Sequence, residues 1–255
     1  MSKNKKNNHK QNNNTSNEQE YIKDTSPIVY QKGKLKSELH IRVRPDLTNK
    51  QKELLKLISD KESRLIFILG PAGCSKTFIA ITAALQLLND KKISDIIYIR
   101  SLIESADRSM GYLKGSESEK LHPYTLPLMD KLDELLPRNE VDLLLKEERV
   151  TGQPVNFLRG QNFNAKCIIA DEVQNFSFAE VVTTITRIGQ FTKMICCADQ
   201  MQSDIGNKSG ISAMIRAFDD EDSRLHGIHF FRFTEDDIVR SDIVRFIVSK
   251  LNSKK

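Results

Sequence analysis

Eight consecutive residues carry the sharpest chemical signal in this 255-residue chain. Gly70-Pro71-Ala72-Gly73-Cys74-Ser75-Lys76-Thr77 follows a short apolar block, Leu65 to Leu69, and runs into a helical pattern that starts at Lys76 and Phe78. A loop of this kind wraps backbone N–H groups around phosphate oxygens, and the positive end of the following helix adds to the attraction. Lys76 can reach the outer phosphates of a nucleotide, and the Thr77 hydroxyl suits Mg²⁺. Gly70, Gly73, Lys76 and Thr77 stand where that chemistry needs them, so the whole run with Phe78 is the candidate nucleotide-binding segment. Ser75 departs from the pattern, which has glycine there. If its backbone is left-handed, an L-residue costs about 1–2 kcal/mol. An ordinary Gly/Pro turn is the plainer alternative.

Two further apolar blocks end in polar groups. Cys167 to Ala170 is followed by Asp171-Glu172, the form of a Walker B element: Asp171 can hold hydrated Mg²⁺ and Glu172 can orient and polarise an attacking water. A block ending at Cys197 is followed by Ala198-Asp199-Gln200-Met201-Gln202, where Gln202 is the candidate γ-phosphate sensor. In open α/β sheets, ligands bind outside the carboxyl ends of strands, so three such ends with compatible groups belong to one site. Upstream, Gln51 opens a helical pattern and has the amide donor and acceptor that an adenine edge requires.

These groups need a sheet to align them. From Leu47 onward, apolar β-rich runs alternate with helical patterns, the signature of a parallel α/β fold with helices on both faces. Strands are expected at Leu65–Leu69, Asp95–Ile99, Cys167–Ala170, Lys193–Cys197 and Ile228–Phe233. Helices are expected at Gln51–Ile58, Lys76–Leu88, Leu126–Leu136, Phe178–Ile188, Ile211–Phe218 and Ile238–Leu251. The first 20 residues hold seven Asn and little that is apolar. Such a segment cannot offset its ordering entropy, so residues 1–40 read as a disordered tail and linker and 41–255 as the folded domain.

Charge and composition narrow the classes. Residues 1–40 carry eight Lys against four acids, leaving 31 basic against 30 acidic groups in the rest. The net charge of +5 therefore describes the tail rather than a basic groove on the body. No apolar run approaches the roughly 18 residues that span a bilayer, and the basic N-terminus has no apolar segment behind it, so a cytoplasmic protein is expected. Cys74, Cys167, Cys196 and Cys197 form no CxxC pair, and no histidine pattern has ligand spacing. Neither a disulfide framework nor a metal held by protein groups alone is expected.

Taken in order, several segments resemble the PhoH-like ATPases over roughly Leu47 to Leu251. They are Gly70–Thr77, Arg159-Gly160-Gln161-Asn162-Phe163-Asn164, Asp171-Glu172-Val173-Gln174-Asn175, Asp199–Gln202 and Asp237-Ile238-Val239-Arg240. Gly111-Tyr112-Leu113-Lys114-Gly115, Glu119-Lys120 and Pro123-Tyr124 are similar to that family's middle region. The resemblance implies a RecA-like P-loop core akin to one motor domain of superfamily 1 helicases, with ATP as the nucleotide and RNA metabolism among the proposed settings. Gln161 and Asn162 stand where the family tends to have Arg and Thr, and Ser101 where it has Pro.

The leading expectation is an Mg²⁺-dependent ATPase, with single-stranded RNA as a partner to be tested. Lys76 and Thr77 would contact phosphate and metal, Asp171 the metal, Glu172 the water and Gln202 the γ-phosphate. The alternative is a nucleotide-bound regulatory module that hydrolyses negligibly, which Ser75 keeps open. Superfamily 1 motors close their site with an arginine from a second core, and this chain has room for one core. The active form is therefore expected to be a homo-oligomer, with a hexameric ring among the closed assemblies, and Arg240, then Arg159, as the residue supplied in trans.

Overall fold

Leu65–Leu69 forms strand β1 with every side chain buried. Ile66 and Ile68 enter one core cluster while Leu65, Phe67 and Leu69 enter another. Alternate side chains of a strand point to opposite faces, so a strand buried at every position must be covered on both. The computed structural model describes residues 35, 37–42, 44, 46–101, 117–158, 160–239, 243, 246, 247 and 250, with backbone alone over 117–124.

The elements in order are α1 (Asn49–Ser59), β1, α2 (Lys76–Asn89), β2 (Asp95–Arg100), α3 (Glu117–Leu135), α4 (Arg138–Lys146), β3 (Val150–Pro154), β4 (Lys166–Ala170), α5 (Phe178–Ile185), β5 (Lys193–Ala198), α6 (Ile211–Phe218), α7 (Glu221–Leu225) and β6 (Ile228–Arg232). The six strands make one sheet in the order β3-β2-β4-β5-β1-β6, and each neighbouring pair is parallel. β5 thus lies between β1 and β4. This is the expected RecA-like P-loop core, with α1 to α4 over one face and α5 and α6 over the other.

Each helix buries what its sequence offers. Thr48 caps α1 in a capping box: its hydroxyl accepts from Gln51 N–H while the Gln51 side chain accepts from Thr48 N–H. Ser177 and Glu180 do the same for α5. α2 is buried almost all round, from Phe78 to Leu85 and again at Leu87 and Leu88, because it lies between the sheet and α1 and α3.

The structure adds three elements to those expected: β3, α4 and α7. α3 begins at Glu117, upstream of the expected Leu126, and runs through Pro123 and Pro127. The expected helix at Ile238–Leu251 lies largely outside the described residues, although 243, 246, 247 and 250 are helical. Packing starts before Ile41, because Leu35 and Leu39 are buried in the α1–α4 layer. The backbone N–H of Leu39 donates to Asn89 Oδ1 and its carbonyl accepts from Asn89 Nδ2, pinning this segment to the end of α2.

All four cysteines are free and buried, Cys167 in β4, Cys196 and Cys197 in β5, and Cys74 in the loop after β1. Burial pushes the Cys167 and Cys196 thiols up to about 12 and Cys197 well above its ordinary value. No helix among the described residues is long and apolar enough to cross a membrane.

Candidate functional site

Because β1, β5 and β4 are parallel neighbours, the loop after Leu69, Asp199 after β5 and Asp171-Glu172 after β4 come out at one edge of the sheet. A cavity of about 330 Å³ opens there. Ala72, Gly73, Ser75, Lys76, Thr77, Phe78, Asp171, Glu172 and Asp199 line it, all singled out by sequence.

The loop is held from behind. Gly70 N–H donates to Ala198 O at 3.2 Å, and a Cβ at Gly70 would stand 2.6 Å from Phe233 Cβ, so only glycine fits this approach without a shift. Gly73 O accepts from Val239 N–H at 3.2 Å, and Cys74 Sγ donates to Thr234 O at 3.7 Å. Ser75 has φ +63° and ψ +28°, the left-handed conformation, and its side chain does not cap α2. The chain therefore carries at this position the strain that glycine would avoid. Lys76 Nζ donates to the Gly70 and Pro71 carbonyls at 2.7 and 2.9 Å, folded back over the loop.

The acidic pair is more highly wired than the sequence disclosed. Asp171, itself buried, accepts from Thr77 Oγ1 at 2.8 Å on Oδ1 and from the Tyr98 hydroxyl on Oδ2. Burial first, then the Asp171 charge and hydrogen bond, hold the Tyr98 phenol far above its usual pKa, so it stays a donor. Glu172 takes a left-handed turn, φ +56°. One of its oxygens accepts from Gln174 Nε2 at 2.5 Å and the other lies 3.7 Å from Arg100 Nη2. Gln174 in turn accepts from Asp199 N–H at 2.9 Å. Gln174 thus ties Glu172 to the end of β5, and Tyr98 ties Asp171 to β2.

Two hard oxygens 2.8 Å apart at the cavity wall, Thr77 Oγ1 and Asp171 Oδ1, fit Mg²⁺. That ion keeps waters and substrate oxygens and needs only one or two protein ligands. Among the described residues no group of three or more His, Cys, Asp or Glu side chains could hold a metal without such help.

Two expected residues fall elsewhere. Gln51 is not at the surface but 2% exposed beneath the loop, its Oε1 taken by Thr48 N–H at 3.0 Å and its Nε2 directed at Cys74 O at 3.5 Å. Both amide ends serve the capping box and the loop rather than facing the cavity. Gln202 is exposed in a 3-10 turn just past Asp199 and is not among the described lining residues. Arg159 and Arg240 lie outside the described residues. The structure brings in Arg44, whose guanidinium stands 4.5 Å over the Phe78 ring, and Lys131 of α3. Neither had a sequence signal, because each reaches the cavity only through the packing of its segment against α2.

The family model for the PhoH-like protein matches residues 42–252. The chain belongs to the PhoH-like family. It is 32% identical to the PhoH-like protein of Mycobacterium tuberculosis strain H37Rv over 208 residues, 81% of this chain and 57% of that one. Against the protein PhoH of Escherichia coli K12 it is 32% identical over 223 residues, covering 86% of this chain and 56% of the other. The PhoH-like chain thus spans a little over half the length of these curated relatives. Among solved structures it is similar to a Pif1 helicase from Candida albicans, with TM-score 0.41, 16% identity, and coverage of 81% of this chain and 43% of that one.

Proposed function

We propose that this PhoH-like chain binds ATP in the cavity at the strand ends and hydrolyses it with Mg²⁺. The observation that supports the reading best is the direct hydrogen bond from Thr77 to Asp171, which joins the phosphate-type loop to the acidic strand beside Lys76. The loop N–H groups and the start of α2 would receive the phosphates. Lys76 would exchange the Gly70 and Pro71 carbonyls for phosphate oxygens, a move with little cost because both groups are local. Thr77 and Asp171 would hold Mg²⁺, which draws charge from the phosphate oxygens. Glu172, steadied by Gln174 and Arg100, would orient the attacking water and take its proton. Coupling to single-stranded RNA belongs to the same proposal. So does a homo-oligomer in which Arg240 or Arg159 of one copy completes the site of another; sedimentation that stays monomeric in the active, ATP-bound chain would sink that part.

Phosphate release by the full chain, with and without Mg²⁺ and single-stranded RNA, tests the proposal. Lys76→Ala is expected to lose tight ATP binding with the fold intact. Glu172→Gln should keep ATP bound and slow turnover by roughly 10² to 10⁴. Turnover in Glu172→Gln equal to the parent would remove Glu172 from its role. A parent chain that binds ATP and releases no phosphate would favour the regulatory-module reading, which the left-handed Ser75 supports.

A further inference from the structure

Tyr98 places a hydroxyl in the otherwise apolar run Ile96 to Ile99 of β2, and its side chain is fully buried. The strand lies between β3 and β4, where Tyr98 is paired with Gly152 on one side and Ile169 on the other. Phenylalanine would fill the same space without burying a polar group, which costs free energy unless it is hydrogen-bonded. Among the described residues the phenol donates to Asp171 Oδ2. Packing of the core gives no reason for this hydroxyl, whereas the carboxylate does.

β2 grips Asp171 twice. The Asp171 backbone N–H donates to Ile99 O at 2.8 Å, and the hydroxyl of the preceding residue, Tyr98, holds the side chain. The two carboxylate oxygens are thereby divided. Oδ1 accepts from Thr77 Oγ1 at 2.8 Å, and both of these residues line the cavity. Oδ2 is held by Tyr98, which is buried and not among the described lining residues, so this oxygen is drawn into the protein. A cation entering from the cavity meets one carboxylate oxygen rather than two. That restriction discriminates between ions. Mg²⁺ demands near-ideal octahedral geometry with single oxygens at about 2.0–2.1 Å, while Ca²⁺ accepts both oxygens of one carboxylate and tolerates about 2.3–2.6 Å.

We propose, resting on the ATP and Mg²⁺ reading above, that Tyr98 is a positioning residue that makes Asp171 a one-oxygen ligand and so sets the cavity's preference for Mg²⁺ over Ca²⁺. Outer partners of a metal ligand typically change metal affinity about 10- to 100-fold when they are removed. In Tyr98→Phe the ring still fills its place, but Oδ2 loses its donor and the carboxylate becomes free to turn both oxygens to the cavity. Mg²⁺ then loses a fixed oxygen, and Ca²⁺ gains a second one.

The test is the affinity of the full chain for a fluorescent ADP analogue in EDTA, in Mg²⁺ and in Ca²⁺, which reads ion selection without turnover. The factor by which each ion tightens ADP over EDTA is that ion's coupling to the nucleotide. In the parent, Mg²⁺ should tighten ADP more than Ca²⁺ does. Tyr98→Phe should leave the affinity in EDTA unchanged, a sign that fold and loop are intact, while the Mg²⁺ factor falls about 10-fold or more and the Ca²⁺ factor holds or rises. A parent-like ratio of the two factors in Tyr98→Phe overturns the proposal, as does a loss of affinity equal in all three conditions, the mark of a merely structural role. A parent chain that responds equally to both ions overturns it without any variant. Asp171→Asn separates failure here from failure of the metal reading, because it should lose tightening by either ion. If it does so while Tyr98→Phe behaves as the parent, Tyr98 has no part in selection and the Mg²⁺ reading stands. If Asp171→Asn keeps full tightening, the metal reading falls and the role of Tyr98 falls with it.

Discussion

Ser75 concentrates the tension between sequence and backbone. Its left-handed conformation costs about 1–2 kcal/mol relative to glycine, while glycine would return roughly 0.4–1 kcal/mol of freedom to the unfolded chain. Ser75→Gly is therefore expected to raise stability slightly, by at most about 1.5 kcal/mol, read as a small rise in melting temperature. A fall of several degrees would mean that the serine side chain does something the fold needs. At this scale the sequence disclosed residues whose role follows from local order: Lys76 and Thr77 after a glycine loop, and Asp171-Glu172 after an apolar block. It named Gln174 only as part of the resembling segment, with no role, and it did not disclose Tyr98, which meets Asp171 from a different strand with no spacing signature of its own. Tyr98 left one hint, as the lone phenol in the otherwise apolar run Ile96 to Ile99, where a buried hydroxyl must find a partner. Gln51 was legible as a helix start but not as a buried brace.

The central strands were legible because they are buried on both faces. β1 has its expected limits, and β2, β4 and β5 differ from theirs by one residue at one end, since a strand covered twice must be continuously apolar. β6 also ends within one residue of its expected limit, but it is a half-buried edge strand whose aromatic run carried the signal. β3 escaped notice because Val150-Thr151-Gly152-Gln153-Pro154 is an edge strand, paired only with β2, and an edge tolerates Gly and Pro. α3 begins at Glu117, ahead of the expected Leu126, and the added stretch holds Pro123, a residue type that disfavours helix interiors and gives no sign of a helix in the sequence. The turn from α7 to β6 gives a prediction at this scale. Gly227, φ +80°, accepts from Arg64 and Leu65 N–H, and a Cβ there would stand 2.1 Å from Glu62 O. Gly227→Ala should cost roughly 1–3 kcal/mol in urea unfolding and loosen β6 from β1, whereas an unchanged midpoint would show that the turn can shift freely.

For the whole molecule, buried titratable groups set the response to alkali. Burial lowers Lys193 to about 8 from 10.5, so between those values the unfolded chain keeps a proton that the folded chain has released, and this group's contribution to stability rises with pH. The thiols have the opposite sign. Their folded values lie above the ordinary 9, with Cys74 at about 11 and Cys167 and Cys196 at about 12, so their contribution is full below 9 and is lost as pH rises beyond it. Four thiols outweigh one amine, so stability should be highest near pH 8–9 and fall above it. Urea midpoints that continue to rise to pH 10 would contradict this. Lys193→Met should remove the gain between about 8 and 10.5, so that stability no longer rises above pH 8 and the fall above pH 9 is steeper.

The same thiols have a consequence in time rather than energy. A neutral, enclosed sulfur cannot attack an alkylating reagent, so each cysteine waits for the chain to open before it is marked. Three are set in the middle of the sheet and clock its dissolution. Cys74 alone belongs to the loop and clocks a smaller opening that a bound phosphate would suppress. The chain thus contains two stopwatches, and a ligand in the cavity would slow one of them first.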